Sequence, residues 1–140
     1  MNICLFTASF LPKVAGMEIV IDRLAREYIA MGHRVAVLAK TPRGMKEAPA
    51  FDYPVCYYKR SMSEVWFNGA PKRMLTRLHR QYRFDVIHAH QIYPTGYLGW
   101  KMSGKLQCLF HRQVRLGLQH RLVFDLIRFG HGLILHGNLV

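Results

Sequence analysis

Asn2-Ile-Cys-Leu-Phe-Thr7 and Arg34-Val-Ala-Val-Leu-Ala39 are two short apolar runs separated by a segment with helical periodicity. Apolar runs of this length are typical of strands that are buried on both faces of a parallel sheet. Between them, apolar residues recur at helical spacing over residues 17–31, and Gly32 predicts the C-terminal end of that helix. A strand, a helix and a second strand within about forty residues predict a right-handed βαβ unit.

The alternation of strands and helices continues along the chain. Pro54-Val-Cys-Tyr-Tyr-Lys59 predicts a third strand and Phe84-Asp-Val-Ile-His88 a fourth, while residues 70–83 and 95–102 have the periodicity of helices. The sequence therefore predicts an α/β fold, a Rossmann-like doubly wound parallel sheet with helices on both faces. Further along, we expect a fifth strand at 106–110, a helix over 111–129 and a last strand at 132–136.

The composition is that of a globular protein. The chain is 51% hydrophobic, 12% aromatic and 20% charged, which argues against disorder. No apolar run is long enough to span a bilayer and the start lacks the basic region of a signal peptide, so we expect a cytoplasmic protein. Cys4, Cys56 and Cys108 are widely spaced without a CxxC pair, which argues against a structural zinc site or a disulfide framework.

The charge of the chain favours a polyanionic partner. A formal net charge of +12 suits nucleic acid, anionic lipid headgroups or a phosphorylated substrate. Residues 59–83 are basic and include Trp66 and Phe67, so this segment is either a solvated helix face or a contact with an anionic membrane surface. The sequence shows no nucleic-acid-reading module, which makes nucleic acid the least favoured of the three partners.

Two short stretches are expected to meet at one edge of the sheet. Residues 12–18 join the first strand to the first helix, and Asp85-Val-Ile-His88-Ala-His90 ends the fourth strand. The carboxyl ends of parallel strands share one edge, where α/β proteins bind ligands. The small-residue loop with Gly16 suits a phosphate at a helix N-terminus, and the alternative interpretation is a simple strand-to-helix turn.

The histidine pair has two interpretations as well. One histidine at a strand end can donate a hydrogen bond to a sugar hydroxyl or a phosphate, or transfer a proton. A histidine tucked into the fold for structural reasons fits the pattern equally. A His-x-His pair alone supplies too few ligands for a metal ion, and we predict no metal site.

In their order and spacing, these stretches resemble the N-terminal domain of family 4 glycosyltransferases, which have the GT-B fold. The family motif Gly-Gly-x-Glu is similar to Ala15-Gly16-Met17-Glu18, Gly-His-x-Val to residues 32–35, and Asp-Val-x-His-x-His to residues 85–90. The resemblance covers residues 1–103. The departure at Ala15 matters only if the backbone angles there require glycine.

The resemblance implies an activity and a set of site residues. It implies retaining transfer of a sugar from a nucleotide sugar, the co-substrate, to a glycan or lipid-linked acceptor, with no further cofactor. It implies a catalytic role for His90 and substrate binding by Ala15, Gly16, Glu18 and His88. An acceptor that is lipid-linked would place the protein at the inner face of the membrane.

Two departures from the family shape our expectations for the whole chain. The family's second domain, with its Glu-x7-Glu pair, does not occur before Val140, and Cys108-Leu-Phe-His111-Arg-Gln stands where the family has a strand that ends in a Thr-x-His-Gly-like motif. Residues 101–140 also contain a single acid, Asp125. We therefore interpret residues 1–103 as the acceptor-side domain, residues 104–140 as a divergent or frameshifted continuation, and the chain as a truncated enzyme that is inactive alone. The alternatives are a non-catalytic binding module for a partner donor domain, or a basic membrane-surface or nucleic-acid-binding protein.

Overall fold

The computed structural model describes residues 1–59 and 69–112. Its strands are Asn2–Thr7 (β1), Arg34–Lys40 (β2), Val55–Tyr58 (β3), Val86–Ala89 (β4) and Leu109–Arg112 (β5). Its helices are Gly16–Ala30 (α1), Gly69–Tyr82 (α2) and Tyr97–Leu106 (α3), and a turn of π-type over Ile92–Gly96 leads into α3. The described strands are all parallel and form one sheet in the order β3-β2-β1-β4-β5.

Alternate side chains of β1 serve two separate cores. Ile3 and Leu5 contribute to the core beneath α1, whereas Cys4 and Phe6 contribute to the core beneath α2 and α3. This division follows from the two-residue period of a strand, which sends successive side chains to opposite faces. Because helices cover both faces, the predicted doubly wound α/β fold is confirmed.

The order of the strands places a crevice between β1 and β4. From β1 the chain proceeds outward through β2 and β3, and then returns to the other side of β1 to add β4 and β5. The connections that leave β1 and β4 therefore run to opposite faces of the sheet, which opens a crevice at their carboxyl ends. This crevice is where the two predicted site stretches lie.

Gly32 ends α1 as predicted. Its φ of +83° is in the left-handed region that glycine adopts without strain. The Gly32 amide donates to the Ile29 carbonyl and the His33 amide donates to the Tyr28 carbonyl, both at 2.9 Å. This paired arrangement satisfies the last carbonyls of the helix and turns the chain directly into β2.

The later boundaries differ from those predicted. Helix α3 extends to Leu106, four residues beyond the predicted end at 102, and Gln107 then adopts a left-handed conformation. The fifth strand consequently begins at Leu109 instead of 106, and residues 111–112 belong to it and not to a helix. The rest of the predicted 111–129 helix and the 132–136 strand lie outside the described residues.

The three cysteines of the described residues form no disulfide. Cys4, Cys56 and Cys108 are free thiols, and Cys4 is fully buried while the other two are half-buried. Burial raises the pKa of the Cys4 thiol far above its ordinary value, so it is an inert apolar side chain. Among the helices of the described ranges, none is long and apolar enough to cross a bilayer.

Candidate functional site

Gln91 joins the loop after β1 to the loop after β4. Its side-chain Oε1 accepts hydrogen bonds from the Ala8 amide at 2.8 Å and from Thr95 Oγ1 at 3.0 Å. Its Nε2 lies 3.0 Å from Met17 Sδ in the first turn of α1. One amide side chain therefore holds both predicted site stretches at fixed positions beside the crevice.

The start of α1 is exposed and lacks a side-chain cap. Ala15 precedes the helix, has φ −147° and ψ 174°, and makes no side-chain hydrogen bond to the first turn. These angles are extended and open to any residue, so the replacement of glycine by Ala15 leaves the backbone unstrained. Both Ala15 and Gly16 are exposed. Since the first amides of a helix have no partner within it, this terminus presents donors to an anion.

Glu18 is a buried carboxylate in the first turn of α1, with only 3% of its surface exposed. Its Oε1 accepts a hydrogen bond from the Ser9 hydroxyl. Ser9 is held in turn by Thr7, whose hydroxyl donates to the Ser9 carbonyl at 2.9 Å. Glu18 Oε2 is buried and has no hydrogen-bond partner among the described residues, so it is an unsatisfied acceptor in the first turn of α1.

The rings of three histidines contact one another near the ends of β4 and β5. The His88 and His90 rings lie parallel within 21°, with centroids 4.5 Å apart. His111 of β5 pairs with His88 in the strand register and meets its ring edge-on at 4.7 Å. On the α1 side, His88 Nδ1 lies 3.3 Å from the Tyr28 hydroxyl. His90 thus packs on His88, and His88 in turn contacts Tyr28 and His111.

His90 is a neutral imidazole at physiological pH. Burial, together with the neighbouring His111, lowers the pKa of His90 to about 4. Burial also lowers the pKa of His111. His90 Nε2 is buried without a hydrogen-bond partner in the described part of the chain. His90 can therefore donate or accept a hydrogen bond but carries no positive charge toward a phosphate.

Sequence reasoning missed three residues of this site, namely Ser9, Gln91 and His111. Gln91 could have been found from its position directly after His90, because a side chain at the end of a strand can bridge neighbouring loops. The signal for His111 is that β5, like β4, carries a histidine near its carboxyl end. In contrast, Trp66 and Phe67, the aromatic residues of the predicted membrane segment, lie outside the described residues. Over residues 1–59 and 69–112, no group of His, Cys, Asp and Glu could hold a metal ion.

The fold and the site together define a doubly wound α/β domain with a candidate ligand site at its topological switch point. The sequence matches Glycosyltransferase Family 4 over residues 14–134, and the chain belongs to this family. The family has the GT-B fold, and membership implies a nucleotide sugar and an acceptor as partners in general. No curated protein matches the chain. The match continues past residue 103, while the division into 1–103 and 104–140 stays a prediction.

Proposed function

We propose that this chain is the acceptor-side part of a retaining glycosyltransferase, which transfers a sugar from a nucleotide sugar to a glycan or lipid-linked acceptor. The observation that carries the proposal is one juxtaposition. The uncapped N-terminus of α1 and the neutral, buried His90 lie at the same sheet edge, tied together through Gln91. The first suits a phosphate and the second suits a sugar hydroxyl.

In this proposal the donor phosphates contact the start of α1. The free amides of the first turn, beginning at Gly16, donate hydrogen bonds, and the helix dipole stabilises negative charge there. Ala15 contributes an extended backbone that brings the loop to the helix without blocking it. As the bond to the sugar breaks, charge accumulates on the departing diphosphate, and fixed amide donors stabilise that charge.

The histidines and Glu18 orient the sugar. His90 Nε2 hydrogen-bonds a hydroxyl of the transferred sugar, and His88 keeps the His90 ring in place through the stacked contact. Glu18 Oε2 accepts a hydrogen bond from a second hydroxyl, while Ser9 fixes the other carboxylate oxygen. His90 acts through hydrogen bonding and not as a cation, because its pKa is lowered to about 4.

Gly16→Asp tests the phosphate site. We expect this variant to bind uridine or guanosine diphosphate at least about tenfold more weakly, because a carboxylate at the helix start repels the phosphates. An acid in the first turn stabilises a helix, so folding should be unimpaired. Isothermal titration calorimetry measures the affinity. Gly104→Asp, an identical exchange at an open position of α3, should bind as the natural chain does.

Either of two results would contradict the proposal. One is nucleoside diphosphate binding that Gly16→Asp leaves unchanged, and the other is the absence of binding by the natural chain. We further propose that transfer needs the family's second domain, since the described residues offer the diphosphate mainly backbone amides. Sugar transfer by this chain alone would refute that part and leave the phosphate site standing.

A further inference from the structure

We propose that α2 and α3 together form a surface that binds bilayers rich in anionic phospholipid. This inference is independent of the proposed function, because the surface excludes the start of α1 and His90. We call it the basic-aromatic face, and it consists of Arg73, Arg77, Arg80, Tyr97, Trp100, Lys101 and Lys105, all of which are exposed.

Helices α2 and α3 pack on the same face of the sheet, so their exposed sides point the same way. Leu75 and Leu78 of α2 and Leu98 and Met102 of α3 belong to the same core, on the sheet face opposite α1. The helices also contact each other. Residues on their outer sides therefore lie on the same side of the protein.

The charge of this surface has a single sign. Residues 69–82 and 97–106 contain no aspartate or glutamate, so neither helix supplies an acidic neighbour for its own cations. The arginines of α2 recur every three or four residues, as expected for one stripe of a helix. Among the described residues, the ion pairs join Arg26 to Asp22 and Asp52, on the α1 side of the molecule. The basic-aromatic face is thus complementary to a layer of negative headgroups.

The aromatic residues add the second property that an interfacial surface needs. Trp100 is 62% exposed and Tyr97 45%, and their ring centroids lie 6.3 Å apart. Lys101 Nζ lies 5.8 Å from the centre of the Tyr97 ring. Trp and Tyr beside Lys and Arg are typical of the zone where headgroups meet acyl chains, because each side chain has an apolar body and a polar end.

A membrane fits this geometry better than a single-stranded nucleic acid does. Proteins that bind single strands use a charged groove with separate rings on which successive bases stack. Here the surface is the outside of two helices. Its aromatic rings contact each other in tilted pairs, with interplanar angles of 33° for Tyr93 and Tyr97 and 43° for Tyr97 and Trp100, and are not separated as stacking platforms for bases are. Such a surface is suited to lie in the interface plane.

Vesicle co-sedimentation of the full chain tests the proposal. We expect binding to vesicles of roughly seven parts phosphatidylcholine to three parts phosphatidylglycerol, and little binding to phosphatidylcholine alone. The triple variant Arg73→Gln/Arg77→Gln/Arg80→Gln should lower the partition coefficient on the order of a hundredfold, or about fivefold for each cation removed. Trp100→Ala should lower it by at least about fivefold at unchanged charge.

A matched variant separates this face from the overall charge. Arg23→Gln/Arg34→Gln/Arg43→Gln removes three exposed arginines elsewhere and should keep at least about a third of the binding. Circular dichroism should show native folding for every variant, and nucleoside diphosphate affinity should be unchanged in Trp100→Ala. Equal losses in the two triple variants, equal binding to both kinds of vesicle, or full binding by Trp100→Ala would overturn the proposal. Polyuridylate binding that depends on Trp100 while vesicle binding does not would assign the face to nucleic acid instead.

Discussion

Gly96→Ala is expected to destabilise the protein by about 3 kcal/mol or more, at the upper end of what overpacking costs. A methyl group at Gly96 would collide with the backbone carbonyl of Gln91 and would lie 3.2 Å from Arg112 Cδ. A backbone group cannot move aside as a flexible side chain can, so the chain around Gln91 must shift. Urea denaturation followed by circular dichroism measures the free energy of unfolding.

The backbone angles show that space, and not conformation, requires this glycine. Gly96 has φ −63° and ψ −49°, which are ordinary helical values for any residue. Gly104→Ala is the matched control, because Gly104 lies in α3 with no atom within 4 Å of an added methyl group. We expect Gly104→Ala to stabilise the protein by about 0.5–1 kcal/mol, the difference in helix propensity between glycine and alanine.

The Gly96→Ala effect should extend to the ligand site. Gln91 holds the Ala8 amide and contacts Met17, so a shift of its backbone displaces both loops at the crevice. We expect nucleoside diphosphate affinity to fall at temperatures where the variant is still folded. If Gly96→Ala were as stable as Gly104→Ala, Gly96 would not lie as close to the Gln91 carbonyl as the structure shows.

The second large effect is a loss of stability in mild acid. His90 has a folded-state pKa of about 4 against an ordinary value of 6.5, so the unfolded chain takes up a proton before the folded one does. The contribution of neutral His90 to the free energy of unfolding is therefore fully present above pH 6.5 and is lost as the pH is lowered toward 4. The shift corresponds to about 3 kcal/mol for His90 alone, since one pKa unit is worth about 1.4 kcal/mol. The lowered pKa of His111 acts in the same direction.

Urea denaturation at a series of pH values between 4 and 7.5 measures this dependence. His90→Gln should be less sensitive to acid than the natural chain, because the group that the unfolded state protonates has been removed. His33→Gln is the control. Because His33 is only half-buried, its replacement should leave most of the dependence of the free energy of unfolding on pH unchanged. If the free energy of unfolding of His90→Gln fell with pH as steeply as that of the natural chain, His90 would not be buried as described.

Sequence and structure contributed different parts of the candidate site. The sequence predicted the sheet, the two stretches that meet at its carboxyl edge, and the end of α1 at Gly32, and the structure places each of them there. It left open whether Ala15 needed glycine angles, and the extended φ of −147° answers that question. It did not predict the bridge made by Gln91 or the third histidine, His111.

The physical reason is the distance along the sequence between the residues that determine each property. Strand alternation, helix periodicity and a glycine end signal depend on a few consecutive residues, so they can be recognised in the sequence. The edge-on contact between His88 and His111 depends on the register between two strands that are distant in sequence. The burial that lowers the His90 pKa likewise depends on how separate parts of the chain pack together. The sequence by itself determined the α/β fold and the edge that carries the site, whereas only the tertiary structure decided which side chains meet there and in which protonation state.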